Sequence, residues 1–187
     1  MKKIIFILML ALVALYGCTS SPITFEQGVK KINKLDKQYD ADIKTPPNST
    51  ENINGLLGQL VGFKALNENI PQSLEYLLDF KIKTLEAEKL HIEGWQWGKG
   101  STTDYGFGCR KGYARIINSS KIRNASAQKG YEAINSLQML IDEFPDKTKS
   151  LNLLQKDILF LNAAYFQIEN KAAKDARLIT SACKKDE

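Results

Sequence analysis

Imidazole chemistry is nearly missing from this chain, because His91 is its one histidine. A metal site of the usual kind would have to find its ligands elsewhere, and there are only three cysteines to help. A Ser–His–acid triad has a single imidazole to draw on and no GxSxG context to place the nucleophile. Proline is scarce as well, with five residues, and apolar content is ordinary at 43%, so nothing argues for bulk disorder. Alternating apolar and polar runs long enough for a β-sheet are missing too, apart from short possibilities around Trp95 and Trp97. The one long apolar run is Ile4 to Tyr16, shorter than the roughly 20 residues that span a bilayer.

What is present at the start has a recognisable layout. Lys2 and Lys3 precede the apolar run, and small polar residues follow it, as in a secretory signal. Leu15-Tyr16-Gly17-Cys18 resembles a lipobox, the cleavage and lipidation motif of prokaryotic lipoproteins, with Tyr16 where that family has a small or aliphatic residue. The resemblance implies diacylglycerol on the Cys18 thiol, cleavage before it, and a chain tethered to the outer face of a membrane. The expected organisation is a signal peptide at 1–17, a lipidated tether at 18–22, and one helical domain at 23–187. Without Lys2 and Lys3 the net charge falls from +5 to +3. That charge is small and evenly spread, which gives no ground for nucleic acid as a partner.

The rest reads as helices. Phe25, Val29, Ile32, Leu35 and Tyr39 mark an amphipathic helix over about 23–40. Pro46-Pro47 ends that stretch, and Leu56 to Phe63 mark a second helix punctuated by Gly55, Gly58 and Gly62. Small residues at that spacing suit the close approach of another backbone. A third helix starts near Pro71 and carries Leu74, Leu77, Leu78, Ile82, Leu85 and Ile92. Its end places His91 as a surface or capping residue. A fourth runs from about 110 to 144, with Asn118-Ser119-Ser120 a possible interruption. Pro145-Asp146 stops it, and the last helix starts at about 151 and continues its stripe to Cys183. The expected fold is an all-α bundle of about five helices ending in a long antiparallel hairpin, with no substantial sheet.

Residues 127–146, AQKGYEAINSLQMLIDEFPD, resemble part of a tetratricopeptide repeat. Tyr131, Ala133, Leu137, Leu140, Phe144 and Pro145 fall at that pattern's small, apolar and closing-proline positions. The resemblance implies a helical hairpin and a protein-binding groove. No second copy follows at the repeat's period, so the reading is one hairpin rather than an array.

Two helices of similar length joined by a short loop place the start of one beside the end of the other. Those places are Cys109 and Cys183, an expected disulfide in an oxidising compartment. With Cys18 lipidated and the other two bonded, no thiol is spare for a metal, and no cofactor is expected.

Residues 94–109, GWQWGKGSTTDYGFGC, read as a glycine- and aromatic-rich crossover loop. Gly98-Lys99-Gly100-Ser101-Thr102 misses a phosphate loop, because Gly100 separates Lys99 from the hydroxyl residues and no buried strand leads in. Trp95, Trp97, Tyr105 and Phe107 either form a platform for a sugar or hydrophobic peptide or cover the end of the bundle. In an extended segment Trp95 and Trp97 would point the same way. Three sequons, at Asn48, Asn118 and Asn124, matter only where exported chains are glycosylated. The leading expectation is a non-catalytic, membrane-anchored interaction or scaffolding module with a protein partner. Glu86, Glu88 and Glu93 read as a solvated face with neighbouring lysines. The alternatives are a small-molecule or glycan binder using 94–107 and, as a distant third, an envelope hydrolase with a carboxylate pair among such residues.

Overall fold

The computed structural model describes residues 22–67, 69–99 and 109–183, and among them all regular structure is helical. Six helices follow in order: α1 Phe25–Gln38, α2 Thr50–Ala65, α3 Gln72–Lys99, α4 Cys109–Glu143, α5 Pro145–Ser150 and α6 Gln155–Cys183. The all-α bundle expected from the periodicity is therefore the observed class.

Local chemistry sets most of the boundaries. Thr24 and Gln27 form a capping box at the start of α1, each side chain satisfying the other's backbone N–H. Ser49 caps α2 by accepting from the Asn52 N–H. The carbonyl of Pro71 accepts from the Leu74 and Glu75 N–H groups at 2.9 and 3.0 Å, opening α3. Pro145 stands in the first turn of α5, where its missing N–H costs nothing.

One apolar cluster joins the helices, drawn from described residues between Phe25 and Tyr165. Leu74, Leu77, Leu78, Phe80 and Leu85 of α3 form its middle, with Ile32 of α1 and Ile53, Leu56 and Leu60 of α2 on one side. From α4 come Ala127, Ala133, Ile134, Leu137 and Leu140, with Leu153 and Ile158 closing that end. The long helix α4 lies between α3 and α6.

The α3–α4 seam is built on an alternating three- and four-residue step. On α4 one buried row is Ser119, Arg123, Ser126, Gly130, Ala133, Leu137 and Leu140. On α3, Leu77, Phe80, Thr84, Ala87 and Gly94 keep the same rhythm, with His91 and Gly98 filling its remaining places. That 3.5-residue period is the coiled-coil spacing, and small residues at its contacts let two backbones approach. A Cβ on Gly94 would stand 3.2 Å from the backbone nitrogen of Arg123.

Four expectations change. Asn118-Ser119-Ser120 does not interrupt α4, because Ser119 and Ser120 are buried in the seam. The hairpin connector is longer than a loop at 145–149: it contains α5, and α6 begins at Gln155 rather than near 151. Asn152 at φ 52° makes the turn, while Asp157 accepts from the Leu154 N–H at 2.8 Å. The glycines of α2 do not serve one close helix contact. Gly55 faces the Tyr39 ring, but a Cβ at Gly58 or Gly62 would meet nothing within 4 Å.

The register of α4 against α6 is fixed by three pairs. Gln155 donates to Gln138 at 3.2 Å, the Tyr165 ring sits on Gly130, and Arg123 meets Asp175 at 2.7 Å. Continuing the same antiparallel steps, about seven residues of α4 for every ten of α6, brings Cys183 level with roughly residue 117, about two turns from Cys109 at the same end of the hairpin.

Candidate functional site

The tryptophans belong to α3, not to a loop. The helix runs to Lys99, so 94–99 of the expected crossover is helical. The cause is the seam: Gly94 faces Arg123, and Gly98 lies over Ser119. Two positions apart on a helix, Trp95 and Trp97 point about 200° apart instead of sharing a direction. Each is about half exposed. The Lys99 ammonium lies 4.0 Å from the centre of the Trp95 ring, a cation–π contact one turn away. Trp97 lines a cleft of about 350 Å³ with Glu93, Gln96 and Arg115. Tyr105, Phe107 and the remainder of the 94–109 segment up to residue 108 lie outside the described residues, as does Cys18.

Along the seam the polar groups are tied to the facing helix. The Ser126 hydroxyl donates to the Ala87 carbonyl at 2.7 Å, and that of Ser119 to the Gly94 carbonyl at 2.6 Å. His91 lies midway between those two contacts. It is not a surface or capping residue, since α3 continues eight residues beyond it and its Nδ1 is buried. Among the described residues that Nδ1 has no hydrogen-bond partner, and neither do the Ser120 hydroxyl or the Arg123 Nε. The other end of Arg123 does: its guanidinium donates to Asp175 of α6. Sequence reading missed this polar seam because it searched for large apolar side chains. The four-three spacing of Ser, Gly and Ala from 119 to 133 was the available signal.

A second polar cluster sits deep in the α1–α3 contact. Asp36 and Lys81 are 2% and 3% exposed, and their charged atoms are 2.9 Å apart. The contact is ionic without hydrogen-bond geometry, and Lys81 donates instead to the Asp42 carbonyl. Burial drives the Asp36 carboxyl up and the Lys81 ammonium down, and each charge partly opposes the other's shift.

Where α3, α4 and α6 meet, Tyr165 occupies the gap left by Gly130. Burial, with the Glu88 charge added, pushes its phenol up to about 12, while a Thr84 hydrogen bond works the other way. The neighbouring Tyr131 donates to Glu169 at 2.9 Å, and burial followed by that carboxylate raises its phenol as well. Glu86 pairs with Lys129 at 3.3 Å, so it belongs to a surface ion pair. Among the described residues no three His, Cys, Asp or Glu side chains gather closely enough to hold a metal ion. An open groove of about 640 Å³ runs between α1 and the α5 end, floored by Phe25, Val29 and Leu151 and edged by Lys30, Lys34 and Lys37. No helix among the described residues is long and apolar enough to cross a membrane.

No family model, no curated protein and no solved structure matches the chain.

Proposed function

We propose that this protein is a non-catalytic lipoprotein, held at the outer face of a membrane by lipid on Cys18 and serving as an interaction or scaffolding module. The anchor rests on the charged start, the short apolar run and Gly17-Cys18. The scaffolding role rests on how the buried polar groups are used. Asp36 with Lys81, Arg123 with Asp175, and the Ser119 and Ser126 hydroxyls all join one helix or its flanking turn to another. Such commitments favour a rigid frame that presents surfaces.

The disulfide between Cys109 and Cys183 belongs to the same reading. It is supported by the antiparallel packing of α4 and α6, which puts both cysteines at the same end of the hairpin, and by the bonded state of the Cys183 sulfur. Closing a loop of about 75 residues contributes roughly 4 kcal/mol in the chain-entropy account. Mass spectrometry of the unreduced digest should give a linked 109–183 peptide, and two freely alkylated thiols would remove this part of the proposal. Labelling with a radioactive fatty acid tests the anchor: label in the wild type and none in Cys18→Ser is the expected result. Label that persists in Cys18→Ser, or is missing from both, defeats it.

The cleft at Trp97 supports a second reading, a small-molecule or glycan binder. Trp95→Ala with Trp97→Ala separates the two. Unchanged thermal stability with lost binding to a glycan array favours the binder, and unchanged behaviour in both favours the scaffold.

A further inference from the structure

Helix α6 is packed on one side only. Its buried residues are Ile158, Tyr165, Ala172 and Ile179, a strict seven-residue repeat that points at α4. On the opposite side Leu159, Phe160 and Phe166 are 67%, 74% and 57% exposed. Exposed Ala163 lies between them, so about two turns present an apolar patch. Leu178 continues the exposed apolar surface near the far end, at 58%.

The charges of α6 are sorted by face. Its three acidic residues all turn toward the bundle and are engaged there: Asp157 with Lys44, Glu169 with Tyr131, and Asp175 with Arg123. Its cations, Lys156, Lys171, Lys174 and Arg177, are all exposed. The outward face thus carries four positive charges and no negative one, with Lys156 before the apolar patch and the others after it.

From this arrangement we propose that the outer face of α6 docks on an anionic lipid surface. Aromatic and aliphatic side chains flanked by cations, with no anion among them, suit insertion at the headgroup boundary. Like charge opposes a second copy of the same face. Helix α1 is also basic, with exposed Lys30, Lys31, Lys34 and Lys37, but none of its exposed residues is a large apolar one. Among the described residues, only α6 joins both features over a continuous face. The proposed tether would bring this face near lipid, and the inference draws on that reading for proximity alone.

The test uses the chain from residue 22 onward, which lacks the anchor but keeps every described element and the whole described core. It should sediment with phosphatidylcholine vesicles that contain phosphatidylglycerol, weakly with pure phosphatidylcholine, and less at high salt. Reversing Lys171, Lys174 and Arg177 to Glu should reduce binding by at least about a hundredfold, at roughly fivefold for each cation lost and more for the anion put in its place. Phe160→Ser with Phe166→Ser should reduce it at least about tenfold. Circular dichroism checks that each variant stays helical. No binding to the anionic vesicles, equal binding to both kinds, or binding lost instead on reversing Lys30, Lys31, Lys34 and Lys37 would each overturn the proposal. Because the anchor is absent, failure here leaves the fatty-acid result on Cys18 untouched.

Discussion

The buried pair of Asp36 and Lys81 gives the most demanding test of this fold. Both side chains are almost fully enclosed, at 2% and 3% exposure, so neither can turn to water when its partner is removed. Asp36→Asn or Lys81→Met should therefore cost about 3–5 kcal/mol each, the usual penalty for stranding a buried charge. For a domain stable by about 5–15 kcal/mol, that is a large share. Removing both charges, as Asp36→Leu with Lys81→Met, strands neither. What remains is the unpaired Asp42 carbonyl, worth about 1–3 kcal/mol, offset by the desolvation no longer suffered. The double variant should lie within about 2 kcal/mol of the wild type. Urea unfolding reads this directly: at a slope near 2 kcal/mol per M, each single change lowers the midpoint by about 2 M.

Alkaline pH adds a second reading with a definite sign. Burial already lowers the Lys81 pKa from 10.5, and the Asp36 charge opposes that fall. In Asp36→Asn the opposition is gone, so the folded pKa drops further below the unfolded one. Between the two, the unfolded chain binds more protons than the native chain, and stability rises with pH. Asp36→Asn should regain part of its loss as pH increases toward 10. Single variants within about 1 kcal/mol of the wild type, or a double variant costing the sum of the singles, would refute the reasoning.

The glycines offer a contrast by position. Gly130→Ala pushes a Cβ into the rigid Tyr165 ring, so the overpacking cost of about 1–3 kcal/mol should exceed the roughly 1 kcal/mol gained in helix propensity. Thermal denaturation should show a lower midpoint. Gly58→Ala meets open space in the exposed middle of α2, and calorimetry should show a gain approaching 1 kcal/mol. Tyr165 holds its proton to about 12, whereas an unfolded tyrosine releases it near 10. The native state therefore binds more protons across that window, and stability falls as pH rises through it, by about 2–3 kcal/mol in all. Tyr165→Phe should flatten this decline in an alkaline denaturation series.

The parts of this architecture readable from sequence were those held by large apolar side chains. Ile32 and Leu35 of α1, the leucines of α3, and Leu137 and Leu140 of α4 announce their buried face by bulk and spacing. The α3–α4 seam beyond Ala87 was not readable in that way, because its buried positions are mostly small or polar: Gly94, Ser119, Ser120, Arg123 and Ser126. Serine and glycine are common in turns, so the same residues read as an interruption and a loop. The Ser119 and Ser126 hydroxyls are satisfied by carbonyls on the facing helix, a partner no local pattern contains. The place of His91 and the helical setting of Trp95 and Trp97 were hidden for the same reason. The start of α6 was misplaced because Leu151 and Leu153 pack on the core from a connector, where apolar spacing alone continues the helix too early.

The seven-residue spacing of Ile158, Tyr165, Ala172 and Ile179 also bears on how the molecule moves. A helix that offers only one fully buried side chain every two turns has little to lose by peeling away, and its amides should exchange with solvent sooner than those of α3. If the proposed Cys109–Cys183 bond forms, that peeling has no free end from which to start at the C-terminus. It has to begin at Gln155, where the turn at Asn152 and the Asp157–Lys44 contact form the latch. Reduction would then open a second starting point, and the proposed bond would set the direction in which the last helix unzips.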